Sequence, residues 1–212
     1  MVATDDLRSL LRSDGLLAIV RGTDPDACVA SVEVLADAGI RLVEVSLTST
    51  DAAKIITRLA AADLGITLGA GTVLTAADAR RVQDAGATFV VTPGSGPGVD
   101  EAARLGMPVL AGCLTPTEVI AADQAGHIVK LFPASAFGPS YLRALRDPLP
   151  HTDVVPVGGV DLDAAREYLA CGAIAVGAAS PLLGDAPRGG DLTALAARAS
   201  AFRAAVDEAR RP

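Results

Sequence analysis

Short apolar runs recur along the chain, and stretches of helix length with polar faces separate them. Eight runs read as strands: 16–22 (LLAIVRG), 41–48 (RLVEVSLT), 66–73 (ITLGAGTV), 88–94 (TFVVTPG), 108–114 (PVLAGCL), 127–133 (HIVKLFP), 153–160 (DVVPVGGV) and 173–180 (AIAVGAAS). Helix signals fill the gaps. Asp24-Pro25, Asp51, Thr75, Thr115-Pro116 and Asp161 stand where helices should start. Gly39, Gly86, Gly126 and Gly172 stand where they should stop. Side-chain acceptors before a helix and glycine after it are the expected boundary residues. A last long helix is predicted over about 190–209.

Eight strand–helix units point to an α/β protein with a parallel sheet and helices outside it. Eight is the number that closes a (β/α)8 TIM barrel. A flat doubly wound sheet is the rival, but such sheets usually have fewer strands. At 212 residues the chain is short for a barrel, so its loops must be short. The segment 5–12 (DDLRSLLR) reads as a short amphipathic helix that covers one end. No linker or second domain is visible, so one domain over 1–212 is expected.

In a barrel, chemistry sits at the C-terminal strand ends, and period-two alternation decides which side chains point inward. In the second strand, Val43, Val45 and Leu47 should face the helices, and Leu42, Glu44, Ser46 and Thr48 the axis. In the sixth, Val129 and Leu131 should face out, and Ile128, Lys130 and Phe132 in. Arg21 shares a face with Leu17 and Ile19, and Thr72 shares one with Ala70. One lysine, one glutamate and one arginine thus converge on the axis. Lys130 is one of only two lysines, against sixteen arginines. A buried structural Lys–Glu pair is the bland reading, but such pairs add little stability. Burial lowers a lysine pKa, and a neutral amine attacks carbonyls to form a Schiff base. Glu44 is then the natural proton carrier.

A phosphate site is expected separately. Strand seven ends in VGGV (157–160) before a helix start, and strand eight ends in GAAS (177–180). Small residues leave backbone amides free to cradle phosphate, and this is a common phosphate position in TIM barrels. GAGTV (69–73) could be a second cradle or simply close packing.

Composition narrows the partners. The net charge is −7 with no basic block, which argues against nucleic acid. No run approaches the roughly 20 apolar residues of a membrane span. The opening MVATDDLRSL does not read as a signal peptide, so a cytoplasmic protein is expected. Cys28, Cys113 and Cys171 are odd in number and widely spaced, which suggests core residues rather than disulfides or a metal site. His127 and His151 sit at element edges and are weak catalytic candidates.

With these residues placed, the chain resembles the class I aldolases that act on 2-keto-3-deoxy-6-phosphosugar acids, the KDPG/KHG aldolase family. The resemblance rests on EVSLTS (44–49), GAGTVL (69–74), VTPG (91–94), IVKLFPAS (128–135) and VGGV, and it covers almost the whole chain. It implies a homotrimer that uses no cofactor or metal and takes a small phosphorylated keto acid. Lys130 would form the Schiff base, with Glu44 as acid and base. Thr72 would contact the carboxylate, Pro93 would wall the site, and Phe132 would pack beside the lysine. Gly158, Gly159, Ala179 and Ser180 would hold phosphate. The gluconate branch carries an arginine where this chain has Thr48, and the galactonate branch usually an asparagine. Arg21 is then the best remaining cation for the carboxylate. The segment 132–145 and the AIVRG of the first strand resemble the galactonate branch. That branch cleaves 2-dehydro-3-deoxy-6-phosphogalactonate to pyruvate and D-glyceraldehyde 3-phosphate. The alternatives are activity on the gluconate epimer or on 4-hydroxy-2-oxoglutarate, a non-catalytic phosphosugar-binding barrel, or a barrel isomerase.

Overall fold

Eight parallel strands form one sheet in the computed structural model: β1 (Leu16–Val20), β2 (Leu42–Ser46), β3 (Thr67–Gly71), β4 (Phe89–Val91), β5 (Val109–Cys113), β6 (Ile128–Leu131), β7 (Val154–Pro156) and β8 (Val176–Ala178). Each strand from β1 to β6 pairs with the next in sequence, and β8 pairs with β1. The bridge between Val157 and Gly177, with Ile174 N–H donating to Val154 O at 3.0 Å, brings β7 to β8 and closes the barrel. A closed order of this kind excludes the doubly wound alternative. The structure describes residues 3–211; residues 1, 2 and 212 of the expected domain lie outside the described residues.

The helices are α1 (Thr4–Asp14), α2 (Pro25–Asp37), α3 (Ala52–Ala61), α4 (Ala76–Asp84), α5 (Pro97–Arg104), α6 (Pro116–Gln124), α7 (Pro139–Arg146), α8 (Leu162–Ala170), α9 (Ser180–Leu183) and α10 (Leu192–Ala209). Most expected caps act as such. Asp24 accepts from the amides of Asp26 and Ala27, and Asp161 from that of Ala164. Thr75 with Asp78, and Thr115 with Glu118, form reciprocal capping boxes. Asp51 is the exception. It takes a left-handed conformation (φ 54°), makes no cap bond, and pairs instead with Lys54 at 3.0 Å. Among the described residues, no helix is long and apolar enough to cross a membrane.

Two apolar layers follow from the alternation. Val43, Val45, Val129 and Leu131 join the shell between strands and helices. Leu17, Ile19, Leu42, Phe89, Ile128 and Val155 fill the barrel interior. Strand β3 carries glycine where its side chains would point inward. A Cβ on Gly69 would lie 2.4 Å from the Phe89 ring, so the glycine leaves room for Phe89 to fill the axis. Close packing therefore accounts for GAG better than a phosphate cradle does.

Helix α1 closes the N-terminal end of the barrel. Its Leu7 and Leu11 are buried with the interior residues, a gain of about 1.5–3 kcal/mol for each side chain. The polar edge of α1 is tied down as well. Arg8 donates to Asp153 at 2.9 Å and to Gly126 O at 2.8 Å, and Arg12 bonds the other oxygen of Asp153. Cys28 and Cys113 are core residues, and burial pushes their thiols up to about 11 and about 12. Cys171 packs against the edge of the same core, where it is half-buried and accepts from Arg143 at 3.3 Å. His127 and His151 stand just before β6 and β7, at the N-terminal ends of these strands, away from the C-terminal ends where barrel chemistry sits.

Candidate active site

Every strand is shorter than its apolar run, and the trimmed residues become the mouth of the barrel. Arg21 follows β1, Thr48 follows β2, Thr72 follows β3 and Phe132 follows β6. Gly158 and Gly159 follow β7, and Ala179 and Ser180 follow β8. Short loops then turn these residues over the interior. All ten residues singled out from the sequence line one cavity of about 400 Å³: Arg21, Glu44, Thr72, Pro93, Lys130, Phe132, Gly158, Gly159, Ala179 and Ser180. Ile19, Thr48 and Val157 complete its wall.

Lys130 and Glu44 are both buried, at 6% and 3% exposure. Their placement follows from the pleat, since their neighbours Val129, Leu131, Val43 and Val45 all point to the helix layer. No ion pair joins the two within 4.0 Å, and Glu44 Oε2 has no hydrogen-bond partner among the described residues. A buried polar oxygen left unpaired inside a cavity is an acceptor that a ligand can satisfy. Gly71 makes room for this carboxylate, because a Cβ there would stand 2.5 Å from Glu44 Oε1.

The electrostatics follow from burial. Loss of solvent raises the Glu44 carboxyl to about 7, although the nearby charges of Lys130 and Arg21 pull the other way. Loss of solvent also lowers the Lys130 ammonium; Glu44 opposes this and Arg21 adds to it. Near neutral pH the carboxyl can therefore both give and take a proton, and the amine is more readily neutral than an exposed lysine. The Lys130 Nζ stands 4.7 Å from the centroid of the Phe132 ring, which shields it from one side.

Thr72 reaches the cavity by a different route from the one its sequence position suggests. Alternation puts Thr72 on the same face as Ala70, but Ala70 packs in the helix layer. The two part company because Thr72 takes a left-handed conformation (φ 62°), which swings its side chain to the mouth. A β-branched residue is strained there, and strain of this kind concentrates at functional sites. The Thr72 hydroxyl lies 3.0 Å from that of Ser46, which lies 2.8 Å from that of Thr48. Alternation predicts Ser46 on the inward face but assigns it no role; its link to Thr72 depends on the turn at Thr72, which no local motif signals.

The opposite side of the mouth is built from small residues. Gly158 and Gly159 take consecutive positive φ values of 102° and 74° before α8 begins, a backbone that other residues adopt only under strain. Ala179 and Ser180 stand beside them at the end of β8. Together they present a wall of backbone and one hydroxyl, with no apolar bulk. Among the described residues, no group of three His, Cys, Asp or Glu could hold a metal.

Comparison with known proteins agrees with this geometry. A family model described as KDPG and KHG aldolase matches residues 7–196. A protein of Rhizobium meliloti (strain 1021) named "Probable 2-dehydro-3-deoxy-6-phosphogalactonate aldolase" is 38% identical over 196 residues, covering 91% of each chain. The 2-dehydro-3-deoxy-6-phosphogalactonate aldolase of Escherichia coli (strain K12) is 36% identical over 199 residues, covering 92% of this chain and 95% of that one. A solved structure described as "Native KDPGal structure" superposes with a TM-score of 0.85 at 35% identity, over 92% of this chain and 95% of that chain. The match runs through the barrel and the strand ends that carry the cavity, and the chain belongs to the KDPG and KHG aldolase family.

Proposed function

We propose that the protein is a metal-independent class I aldolase that cleaves 2-dehydro-3-deoxy-6-phosphogalactonate to pyruvate and D-glyceraldehyde 3-phosphate. The observation that carries this reading is the pair Lys130 and Glu44, buried in one cavity without neutralising each other. The neutral Lys130 amine attacks the C2 carbonyl, and loss of water from the adduct leaves an iminium. Glu44 takes the proton of the C4 hydroxyl as the C3–C4 bond breaks. The bond electrons move into the iminium to give an enamine, and the aldehyde leaves. Protonation at C3 and hydrolysis then release pyruvate and restore the amine.

The rest of the cavity divides by chemistry. Arg21 and the Thr72 hydroxyl hold the carboxylate, with Pro93 as the wall, and Phe132 keeps water from the lysine. Gly158, Gly159, Ala179 and Ser180 hold the phosphate. The supporting arrangement is that both groups of residues line the same cavity as Lys130.

The choice of sugar acid rests on the names of the relatives and on the absence of the gluconate-branch arginine at Thr48. Purified protein assayed with both C4 epimers is expected to show the higher kcat/KM for the galactonate acid. A higher value for the gluconate acid would reverse the assignment. A site that hydrogen-bonds a hydroxyl can separate such epimers strongly.

The chain is further proposed to work in the cytoplasm as a homotrimer. Leu74, Ile120 and Phe137 are large apolar side chains left 52%, 40% and 58% exposed, which suits a buried subunit contact. Light scattering should give three times the chain mass; a monomer at micromolar concentration would refute the assembly.

A further inference from the structure

The cavity has a side lobe of about 150 Å³. It shares Ile19, Arg21, Ala179 and Ser180 with the main cavity and is lined further by Leu183, Gly184 and Arg188. Arg188 is exposed and belongs to the turn DAPRGG (185–190) between α9 and α10. Most of the sixteen arginines donate to a carboxylate, a carbonyl or a sulfur atom. Arg188 and Arg21 do neither, and no carboxylate of the described residues lies within 4.0 Å of either. Acidic side chains outnumber basic ones by 25 to 18 in this chain, so partners are not scarce. An anion entering this void would meet two guanidinium groups that no carboxylate neutralises.

The turn that carries Arg188 is fixed against the strand end that carries Arg21. Ala186 and Pro187 are buried, and Pro187 O accepts from the Cys28 thiol at 3.5 Å. Gly22 follows Arg21 directly. A Cβ on Gly22 would lie 1.9 Å from Pro187 O, so the two backbones touch. Within the turn, the amides of Arg188 and Gly190 donate to Asp185 O at 2.8 and 3.2 Å. The base of Arg188 is thus held in place before any ligand arrives, which lowers the ordering cost of capturing one.

We propose that Arg188 supplies the cation of the phosphate site and makes the protein discriminate phosphorylated from unphosphorylated keto acids. A guanidinium can bond two phosphate oxygens at once, whereas the wall of Gly158, Gly159, Ala179 and Ser180 carries no charged side chain. The lobe is lined by Ala179 and Ser180 but not by Gly158 or Gly159, so Arg188 adds a charged side chain at the Ala179–Ser180 part of the phosphate wall. Arg21 stands between this lobe and the main cavity and keeps the carboxylate role given above. The inference rests on the aldolase reading and adds a residue to it.

The test compares kcat/KM for 2-dehydro-3-deoxy-6-phosphogalactonate with that for unphosphorylated 2-dehydro-3-deoxygalactonate. In Arg188→Ala the preference for the phosphorylated acid is expected to fall roughly tenfold, mainly through KM, as loss of a charged hydrogen bond predicts. Arg188→Lys should recover part of it, and Arg188→Glu should weaken it further than alanine does. An unchanged preference in Arg188→Ala, in a protein whose wild type cleaves the phosphorylated acid, would overturn the assignment of Arg188 alone. A wild type that cleaves neither acid would instead remove the aldolase reading beneath it.

Discussion

Lys130→Arg is expected to lose at least about 10⁴-fold in kcat/KM, and with it every trace of a pyruvate adduct under borohydride. Arginine keeps the positive charge and much of the length of the side chain. Its guanidinium stays protonated at any pH the protein survives, so it has no lone pair to offer a carbonyl. The substitution therefore separates two roles that a structural ion pair would merge. If Lys130 only balanced Glu44, arginine would serve about as well. The chain is well suited to this experiment because it has one other lysine. Lys54 lies on α3, where it is largely exposed and paired with Asp51, outside the cavity. Borohydride reduction with pyruvate should label the peptide containing Lys130 in the wild type and no peptide in the variant. Label on the Lys54 peptide, or activity within a hundredfold of wild type in Lys130→Arg, would end the Schiff-base proposal. Lys130→Met is a second probe, and its consequence for the neighbour is also set. The lysine charge lowers the Glu44 carboxyl, so its removal should raise that carboxyl above about 7.

How far the site can be read from the sequence depends on how far backbone regularity extends. Strands β2 and β6 are regular through Glu44 and Lys130, so counting by twos places both residues on the axis, and the structure agrees. Strand β3 is regular only to Gly71. The left-handed turn at Thr72 then breaks the parity that ties it to Ala70. Thr72 lines the cavity, but alternation was not the reason. At β7 and β8 the small residues are legible because phosphate cradles and tight turns ask for the same composition. The strand lengths are less so, because an apolar run does not reveal where its neighbour stops pairing. Arg188 was invisible for a further reason. It sits in a polar turn without strand or helix period, and its nearness to Arg21 depends on a backbone contact between residues 22 and 187. Asp51 shows the same limit on a smaller scale: a capping residue type was present, but the left-handed backbone turned its carboxylate toward Lys54.

Glu44→Gln should slow cleavage by about 10²–10⁴-fold, the usual worth of a positioned acid–base group, and should leave two further signatures that a structural role would not. The first is in the pH profile. Wild-type kcat/KM is expected to rise with pH through about 7, as the buried carboxyl loses its proton and becomes able to accept that of the C4 hydroxyl. That limb should vanish in the glutamine variant. The carboxylate also favours the charged form of Lys130, so its loss should lower the lysine further. Trapping of pyruvate by reduction should then set in at a lower pH in the variant than in the wild type. The second signature is in stability. Burial raises the Glu44 carboxyl from 4.5 to about 7, so the unfolded chain releases this proton before the folded one does. Between those values the folded state binds more protons, and the wild type must lose stability as pH rises. The whole cost is on the order of 3 kcal/mol by the size of that change, and it is present in full only above about 7. Glutamine carries no such penalty. The thermal midpoint of Glu44→Gln, compared with that of the wild type, should therefore climb from about pH 4.5 to about pH 7 and level off above it. Parallel melting curves for the two proteins over this range, together with an unchanged acidic limb in the rate profile, would show that Glu44 is not the proton carrier. A variant that is slower yet relatively more stable at alkaline pH is the expected result, because the unpaired carboxylate that destabilises the barrel core is the group the reaction needs.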